Sequence, residues 1–415
     1  MKSRFHLLLL PLGILLLGMG TLLLGHHLTA DSVFLPWVAA IVSGAFFVQF
    51  LLDKRYPKMD STLFPVAMLL ASLGIIMIGR LKPALFLTQM RWLLLGIIVY
   101  LVIIFLGEKL LRFLSYPYLL GIFCLLLLCS ALFFGTEIGG SRNWIVFGPF
   151  AVQPSEFGKI VIIMFLAAYL TEHREVLCLP RHKLLWLKLP VLRFIAPLLL
   201  IWGIAILMFV VQRDLGSALL FFGIAVSMTY MATGRKSYVV LALAFFSGAA
   251  VLSYFLFSHV RVRFNIWLDP WTDPSGSAYQ VVQSLFALGS GGIWGTGFSH
   301  GHPNLIPEVH TDFIFAAIAE ELGLLGAMGI MLIFALFFYR SIRIALACQE
   351  EKHMLFAAGI AVVFFLQTFI IIAGVTKFLP LTGITLPCQL WRQLHDCQLH
   401  AARHFNRAFQ KGEST

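Results

Sequence analysis

Charged residues are scarce in this chain of 415 residues, where 12% are Asp, Glu, Lys or Arg, whereas a soluble domain carries about 25%. A hydrophobic content of 60% and a mean hydropathy of +0.91 exclude a soluble globular protein. The six cysteines form no Cys-x-x-Cys pair, so their pattern predicts neither a disulfide framework nor a zinc site. The sequence also lacks a low-complexity linker and a short-period repeat. The fold that stays compatible with these absences is a single bundle of membrane helices.

The charge that is present is mainly positive, with 30 Lys and Arg against 19 Asp and Glu and a net charge of +11. The basic residues are spread over short connections without interleaved aromatic residues. This distribution argues against a nucleic-acid partner and is typical of membrane topology, in which inner loops carry most Lys and Arg. We therefore predict a multi-pass protein of the cell membrane with a cytoplasmic N-terminus and an extracytoplasmic segment 258–311.

Apolar runs fill most of the remaining sequence. A helix needs about 20 residues to cross a hydrocarbon layer of ~30 Å, and such runs fall near 7–24, 33–52, 62–79, 91–107, 117–134, 156–171, 194–212, 214–232, 237–257, 312–338 and 355–375. We predict an all-α fold, a polytopic integral membrane bundle of about eleven spans. Residues 1–61 are expected to form an extra N-terminal transmembrane hairpin, 62–387 the working core, and 388–415 a polar tail.

The first polar constellation is GGSRNWIVFGPFAVQPSEFGKI, residues 139–160. Its Gly, Asn and Pro residues predict a loop, and Pro154 followed by Glu156 is typical of a helix start. Lys159 lies one turn later, just inside a span, where an unpaired charge costs about 2.5–3.5 kcal/mol. A pair between Glu156 and Lys159, or an anionic ligand beside Lys159, would offset that cost. A capped re-entrant loop is the structural alternative.

The second constellation is VVQRDLGSALLF, residues 210–221, which joins two apolar segments almost without a loop. Gln212, Arg213 and Asp214 fit a tight, solvated helical hairpin. They equally fit the outer mouth of a cavity, because ionisable residues at membrane depth usually face a bundle interior or water.

The third constellation, residues 261–326, holds the densest polar chemistry in the chain. LDPWTDPSGSAYQ is rich in turn formers, and one of Asp269 and Asp273 is expected to be a cap. VHTDFIFAAIAEELG then enters the membrane with three acids and a histidine, more than capping needs: Asp312, Glu320, Glu321 and His310. The histidines of this region match no zinc spacing, so no metal site is assigned.

At these residues the sequence resembles the SEDS family of bacterial cell-wall proteins, which contains the polymerases called RodA, FtsW and SpoVE. The matching elements, in family order, are NWIVFGPFAVQPSEFGK, QRDLGSALL, DPWTDPSGSAYQVVQSLFALGSGGIWGTG, IPEVHTDFIFAAIAEELGLLG and LPLTGITLP. The resemblance covers residues 62–387. It implies a peptidoglycan glycosyltransferase that polymerises lipid II, the undecaprenyl-diphosphate-linked disaccharide peptide, at the outer membrane face with a class B penicillin-binding protein as partner.

The resemblance also implies site residues. The family's essential aspartate, in its DPxGxxYQ motif, falls on Asp273, which would be the general base or would orient the acceptor hydroxyl. Asp269 is the less constrained neighbour. No cofactor is defined, and participation of a divalent cation stays open. The expected substrate-binding residues are Arg142, Glu156, Lys159, Arg213, Asp214, Arg263, Gln280, His310, Asp312 and Glu320.

The tail departs from the family, which continues after LPLTGITLP with a Phe-x-Ser-Tyr-Gly-Gly-Ser-Ser loop and a last helix. Permitted codons for Cys388 to His400, read one base later, give Val-Ser-Tyr-Gly-Gly-Ser-Ser-Met-Ile-Ala-Asn-Cys. We therefore infer a frame shift near Pro387. An intact frame would supply a twelfth span, so the 415-residue form is expected to be unstable or inactive and to be rescued by repair of the frame.

Two other function classes stay open from the sequence. A flippase for the lipid-linked precursor would also be a helical bundle with charged residues, although it should need charges along the whole crossing. An inactive scaffold of a cell-division complex is compatible with the altered tail. The motifs do not separate roles in elongation, division and sporulation.

Overall fold

A computed structural model of the chain describes residues 5–25, 34–55, 60, 62–138, 141–147, 150–178, 182–184, 187–189 and 192–383. The polar tail and the end of the LPLTGITLP motif, on which the frame-shift inference rests, lie outside the described residues. Long helices form most of the described chain. The prediction of an all-α polytopic membrane protein is confirmed.

The first half of the chain consists of apolar helices interrupted by short strands. In order these elements are α1 (His6–Leu24), α2 (Phe34–Arg55), α3 (Leu63–Leu81), α4 (Phe86–Leu111), α5 (Pro117–Phe134), β1 (Thr136–Ile138), β2 (Ser141–Phe147), β3 (Phe150–Val152), α6 (Pro154–Glu172), α7 (Arg174–Cys178), β4 (His182–Leu184) and β5 (Leu187–Leu189). Short 3-10 turns at Pro83–Leu85 and Arg112–Ser115 precede α4 and α5.

The second half returns to long helices, with two shorter helices in the polar segment between α10 and α13. Its elements are α8 (Leu192–Val211), α9 (Leu215–Thr233), α10 (Lys236–Leu256), α11 (Ser258–Leu268), α12 (Tyr279–Gly291), α13 (Ile314–Leu346) and α14 (Glu351–Val375). Further 3-10 turns lie at Pro270–Thr272 and Pro303–Leu305.

Ten helices in the described part of the chain are long and apolar enough to cross a membrane. The eleventh predicted segment corresponds to α8, whose apolar part, Ile195–Val211, is shorter. Local sequence explains several boundaries: α5 and α6 begin with proline at their first position, where its missing N–H is no loss. Helix α9 ends at Gly234, whose φ of 66° is left-handed.

The described chain divides into two compact units. Unit 1 consists of the described residues within Met1–Leu106, Phe257–Arg343 and Gln367–Thr415, and unit 2 of those within Gly107–Leu256 and Ile344–Leu366. In unit 1, α1 packs closely on α3. A Cβ on Gly18 would lie 2.3 Å from Ile76 Cδ1, and one on Gly79 would lie 2.9 Å from Leu22 Cδ1. Helix α1 therefore contacts α3 through small residues. The predicted boundary at residue 61 stays a prediction.

In unit 2, the constellation predicted as a loop between α5 and α6 contains a small antiparallel sheet of order β1-β2-β3. Thr136 pairs with Trp144, and Val146 pairs with Ala151. The prediction of a loop is wrong for this stretch, because its β-branched and aromatic residues pair instead. The sheet ends directly before α6, which carries Glu156 and Lys159.

Candidate functional site

The polar segment of unit 1 contains a turn built around Asp273. The Oδ2 atom of Asp273 accepts hydrogen bonds from the Ser277 N–H at 2.7 Å and from the Ser277 hydroxyl at 2.9 Å. These bonds hold the pKa of Asp273 below its usual value, and the carboxylate is exposed. Asp273 is therefore ionised at neutral pH and open to a ligand.

Gly276 lets the carboxylate of Asp273 occupy this place. A Cβ on Gly276 would lie 2.4 Å from Oδ2 and 2.5 Å from Oδ1 of Asp273, closer than real contacts allow. Asp269, four residues earlier, caps the 3-10 turn by accepting the Trp271 N–H at 3.0 Å. One of the two aspartates was expected to be a cap, and both accept local hydrogen bonds. Gln280 lies half-buried in the first turn of α12.

Arg263 and Asp312 lie next to the LPLTG segment, also in unit 1. The Nη1 atom of Arg263 donates to the carbonyls of Leu381 and Thr382, at 3.4 and 3.1 Å. A Cβ on Gly383, whose φ is 72°, would lie 3.6 Å from Oδ2 of Asp312. Burial raises the pKa of Asp312 to about 6, although the Arg263 guanidinium opposes this rise.

Asp312 gives a pH-dependent expectation. Its folded pKa lies above the unfolded value, so the folded chain binds more protons between about pH 4 and 6, and stability rises as pH falls through that window. We expect Asp312→Asn to raise the thermal midpoint in detergent at about pH 8, where the buried charge costs at most about 3 kcal/mol. The gain should shrink toward about pH 5. The matched control is the exposed Asp269→Asn, and a pH-independent gain would contradict the assignment.

His310 and Lys82 form a small cluster before α13. Lys82 Nζ lies 3.4 Å from Nε2 of His310, and Glu308 Oε2 lies 3.6 Å from the same atom. Burial, and then the Lys82 ammonium, lower the pKa of His310. The ring is therefore neutral at neutral pH and can accept a hydrogen bond from Lys82.

Deeper in unit 1, Glu320 and Glu321 of α13 are both buried. The Oε1 atom of Glu320 accepts the His302 N–H at 2.8 Å. The Oε1 atom of Glu321 lies 3.1 Å from Arg80 Nε at the end of α3. Arg80 and Glu321 were not among the predicted site residues. The available signal was that Arg80 and Glu321, although far apart in the sequence, are ionisable residues that each lie inside an apolar run.

In unit 2, Asp214 is the buried centre of a hydrogen-bond network. It caps α9 by accepting the Ser217 N–H at 2.9 Å, and its Oδ2 accepts from Asn143 Nδ2 at 2.7 Å and Ser217 Oγ at 2.9 Å. The alternative of a solvated hairpin therefore does not hold for Asp214, because hydrogen-bond donors of the protein surround its carboxylate. Arg213 beside it is exposed and has a left-handed φ of 58°.

The predicted pair of Glu156 and Lys159 forms in unit 2. Lys159 Nζ lies 2.6 Å from Glu156 Oε2, and the side chains are 7% and 19% exposed. Arg142 Nε donates to the Gly135 carbonyl at 2.9 Å. Within the described residues, Arg213 is the one predicted cation whose guanidinium has no hydrogen-bond or ion-pair partner. Over the same residues, no group of three or more His, Cys, Asp or Glu could hold a metal ion.

The fold and these clusters define a polytopic helical membrane protein with carboxylates and cations buried in its spans. A family model described as "cell cycle protein", covering FtsW, RodA and SpoVE, matches residues 59–389. The chain belongs to this family. The family prediction is confirmed.

Individual relatives agree with the family match. The peptidoglycan glycosyltransferase RodA of Mycobacterium tuberculosis is 38% identical over 375 residues, covering 85% of this chain and 79% of that protein. Stage V sporulation protein E of Bacillus subtilis is 34% identical over 343 residues, covering 79% and 90%. The names of the RodA and FtsW relatives confirm the predicted enzyme class, a glycosyltransferase of peptidoglycan.

Solved structures are similar over nearly their whole length. A chain from a peptidoglycan synthase complex that coordinates polymerization and crosslinking has a TM-score of 0.68 and 26% identity, covering 84% of this chain and 98% of that chain. The rod shape-determining protein RodA of Thermus thermophilus has a TM-score of 0.59 and 25% identity, covering 85% and 99%.

Proposed function

We propose that this chain polymerises lipid II into glycan strands at the outer face of the cytoplasmic membrane. The observation that carries the proposal is the exposed, ionised carboxylate of Asp273, held by Ser277 in a turn where glycine at 276 leaves room for it. The names of the relatives, which are peptidoglycan glycosyltransferases, supply the reaction class.

The chemistry gives Asp273 a defined place. The acceptor hydroxyl oxygen forms a bond to the anomeric carbon of the donor sugar, and the bond from that carbon to the diphosphate oxygen breaks. The diphosphate leaves with the electron pair, and the hydroxyl proton needs an acceptor. A carboxylate with a lowered pKa removes this proton only after C–O bond formation has made it acidic. Asp273 therefore first orients the hydroxyl and then takes its proton.

The other predicted site residues divide by what their side chains already contact. Arg263 and Arg142 donate hydrogen bonds to backbone carbonyls, and Lys159 pairs with Glu156. We therefore assign these three cations mainly to stabilising the local structure. Within unit 2, Arg213, exposed beside the buried Asp214, is the cation whose guanidinium is best placed to accept an anionic ligand. Asp312, Glu320 and His310 organise the segment before and within α13. Their roles stay proposals.

The orientation of the chain follows from its charge distribution. Lys54 and Arg55 end α2 and Lys109 lies in the last turn of α4, whereas the end of α3 carries Arg80 and is followed by Lys82. Because inner flanks carry more Lys and Arg, we place the N-terminus in the cytoplasm. The polar segment 258–311, with Asp273, is then extracytoplasmic, where a lipid-linked donor and the growing wall are both accessible.

Purified chain reconstituted with lipid II tests the reaction and its partner together. We expect glycan strands, and a higher rate when a single-span class B penicillin-binding protein from the same cell is co-purified. The chain as given and a version with the restored frame after Pro387 are assayed side by side. If the isolated chain is fully active and no such partner changes its rate, the partner proposal is contradicted. Movement of lipid II across the bilayer without strand formation would instead support the flippase alternative.

A further inference from the structure

Helix α13 is broken at Gly323, whose φ of 68° and ψ of −172° are not helical. A glycine-rich loop that follows α12 makes backbone hydrogen bonds on both sides of this break. The bonds run from Thr296 N to Glu320 O at 3.0 Å, Gly297 N to Glu321 O at 3.0 Å, Leu324 N to Gly292 O at 2.9 Å and Leu325 N to Ile293 O at 3.2 Å. Because broken backbone at membrane depth must find partners within the protein, the loop and the break are one structure.

Glycines allow the close contact between loop and helix. A Cβ on Gly295, whose φ is 84°, would lie 2.2 Å from the Glu321 carbonyl oxygen. A Cβ on Gly323 would lie 2.3 Å from the Gly295 nitrogen. Both clashes are with backbone, which cannot move aside as a flexible side chain can. Any side chain at either position would push the loop out of the break.

Arg80 closes this structure from α3. Its Nε lies 3.1 Å from Glu321 Oε1, and its Nη2 donates to the Gly301 carbonyl at 3.2 Å. The side chains of Arg80 and Glu321 are 7% and 0% exposed. One guanidinium thus ties the end of α3 to both the helix and the far end of the loop, and Glu320 adds a bond to the next residue, His302.

The loop in turn fixes the helix that follows Asp273. Helix α12 runs from Tyr279 to Gly291 and passes directly into the loop. Its 13 residues form a rod of about 20 Å, with the Asp273 turn before its first residue and the loop after its last. Holding the far end of a rigid rod restricts the movement of the near end.

We infer that Arg80 is a positioning residue: through Glu321 and the Gly301 carbonyl it holds the 292–301 loop in the break of α13, and through α12 it fixes Asp273. The inference rests on the proposed role of Asp273 in glycan synthesis, but the clamp itself is defined by contacts that do not depend on that role.

Hydrogen–deuterium exchange and kinetics of Arg80→Gln test the inference in detergent, on whichever full-length form makes glycan, the 415-residue chain or its frame-restored version. We expect amide exchange in the loop and in α12 to rise by about tenfold or more. The kcat for lipid II should fall by about 100-fold, since small displacements of reacting groups cost that much, while KM stays unchanged. Arg80→Lys keeps the charge beside Glu321 and should restore part of both. Arg91→Gln, an exposed arginine on α4 whose guanidinium lies over Trp37, is the matched control.

Each result decides a separate part of the inference. Unchanged loop exchange in Arg80→Gln would overturn the clamp, and raised exchange with full kcat would overturn the positioning of Asp273. If Arg80→Gln does not fold, wild-type exchange and kcat in Arg80→Lys would overturn the inference. If neither the 415-residue chain nor its frame-restored form makes glycan, the proposed function fails, while the exchange measurement still decides whether Arg80 holds the loop.

Discussion

Asp273→Asn is expected to lower the rate of lipid II polymerisation by about 10²–10⁴-fold, the usual contribution of a positioned acid–base group. The amide oxygen of asparagine can replace Oδ2 as the acceptor for both Ser277 donors, so the turn keeps its shape. What the amide cannot do is carry negative charge or accept the hydroxyl proton. The rate of lipid II consumption and the thermal midpoint in detergent, measured on the same preparations, separate loss of chemistry from loss of fold.

Asp269→Asn is the matched control, because Asp269 is also an exposed carboxylate that accepts a backbone N–H in the same segment. Its rate should stay close to that of the unchanged chain. Gly276→Ala provides a second, independent change, since its Cβ would displace the Asp273 carboxylate without removing it. We expect a lower rate from this variant with little loss of stability. Normal strands from Asp273→Asn would remove Asp273 from the mechanism.

Lys159→Met is expected to destabilise the chain by about 3–5 kcal/mol, the cost of breaking a buried ion pair by removing one partner. The substitution removes the cation 2.6 Å from Glu156 in the first turns of α6, while methionine fills a similar volume. The effect is measured by denaturing the protein in detergent and monitoring the loss of its helical signal. The double variant Glu156→Gln with Lys159→Met should recover most of the loss, because no buried charge of the pair remains.

The exposed pair of Arg174 and Glu351, in the same unit, is the control for this measurement. Both side chains are about half exposed, and such pairs contribute about 1 kcal/mol or less. Arg174→Met should therefore change stability much less than Lys159→Met. Equal effects of the two substitutions would show that burial of Glu156 and Lys159 does not matter for stability.

The spans were predictable because length and apolarity alone determine which segments can cross a bilayer. The sheet before α6 was not, because glycine, asparagine and proline in GGSRNWIVFGPFAV dominate the local signal and predict a loop. Pairing of strands as short as Phe150–Val152 depends on partners across the turn. Local propensity does not encode such pairing.

The site shows the same division. The Asp273 turn was predictable, since DPSG is a local signal. The break at Gly323 was not, because the apolar run of α13 continues on both sides of it. The contact of Arg80 with Glu321 joins distant parts of the sequence, and only packing of α3 against α13 brings them together. Sequence therefore predicted the exposed carboxylate and missed the buried structure that we infer positions it.

The most direct test is a gel that separates glycan strands by length after purified chain is incubated with lipid II. The unchanged chain, in the form given or with the restored frame, is predicted to give a ladder of strands. Asp273→Asn in the same background should give none, and Asp269→Asn should give a ladder. A ladder from Asp273→Asn, or no strands from either form of the folded, unchanged chain, would contradict the proposal.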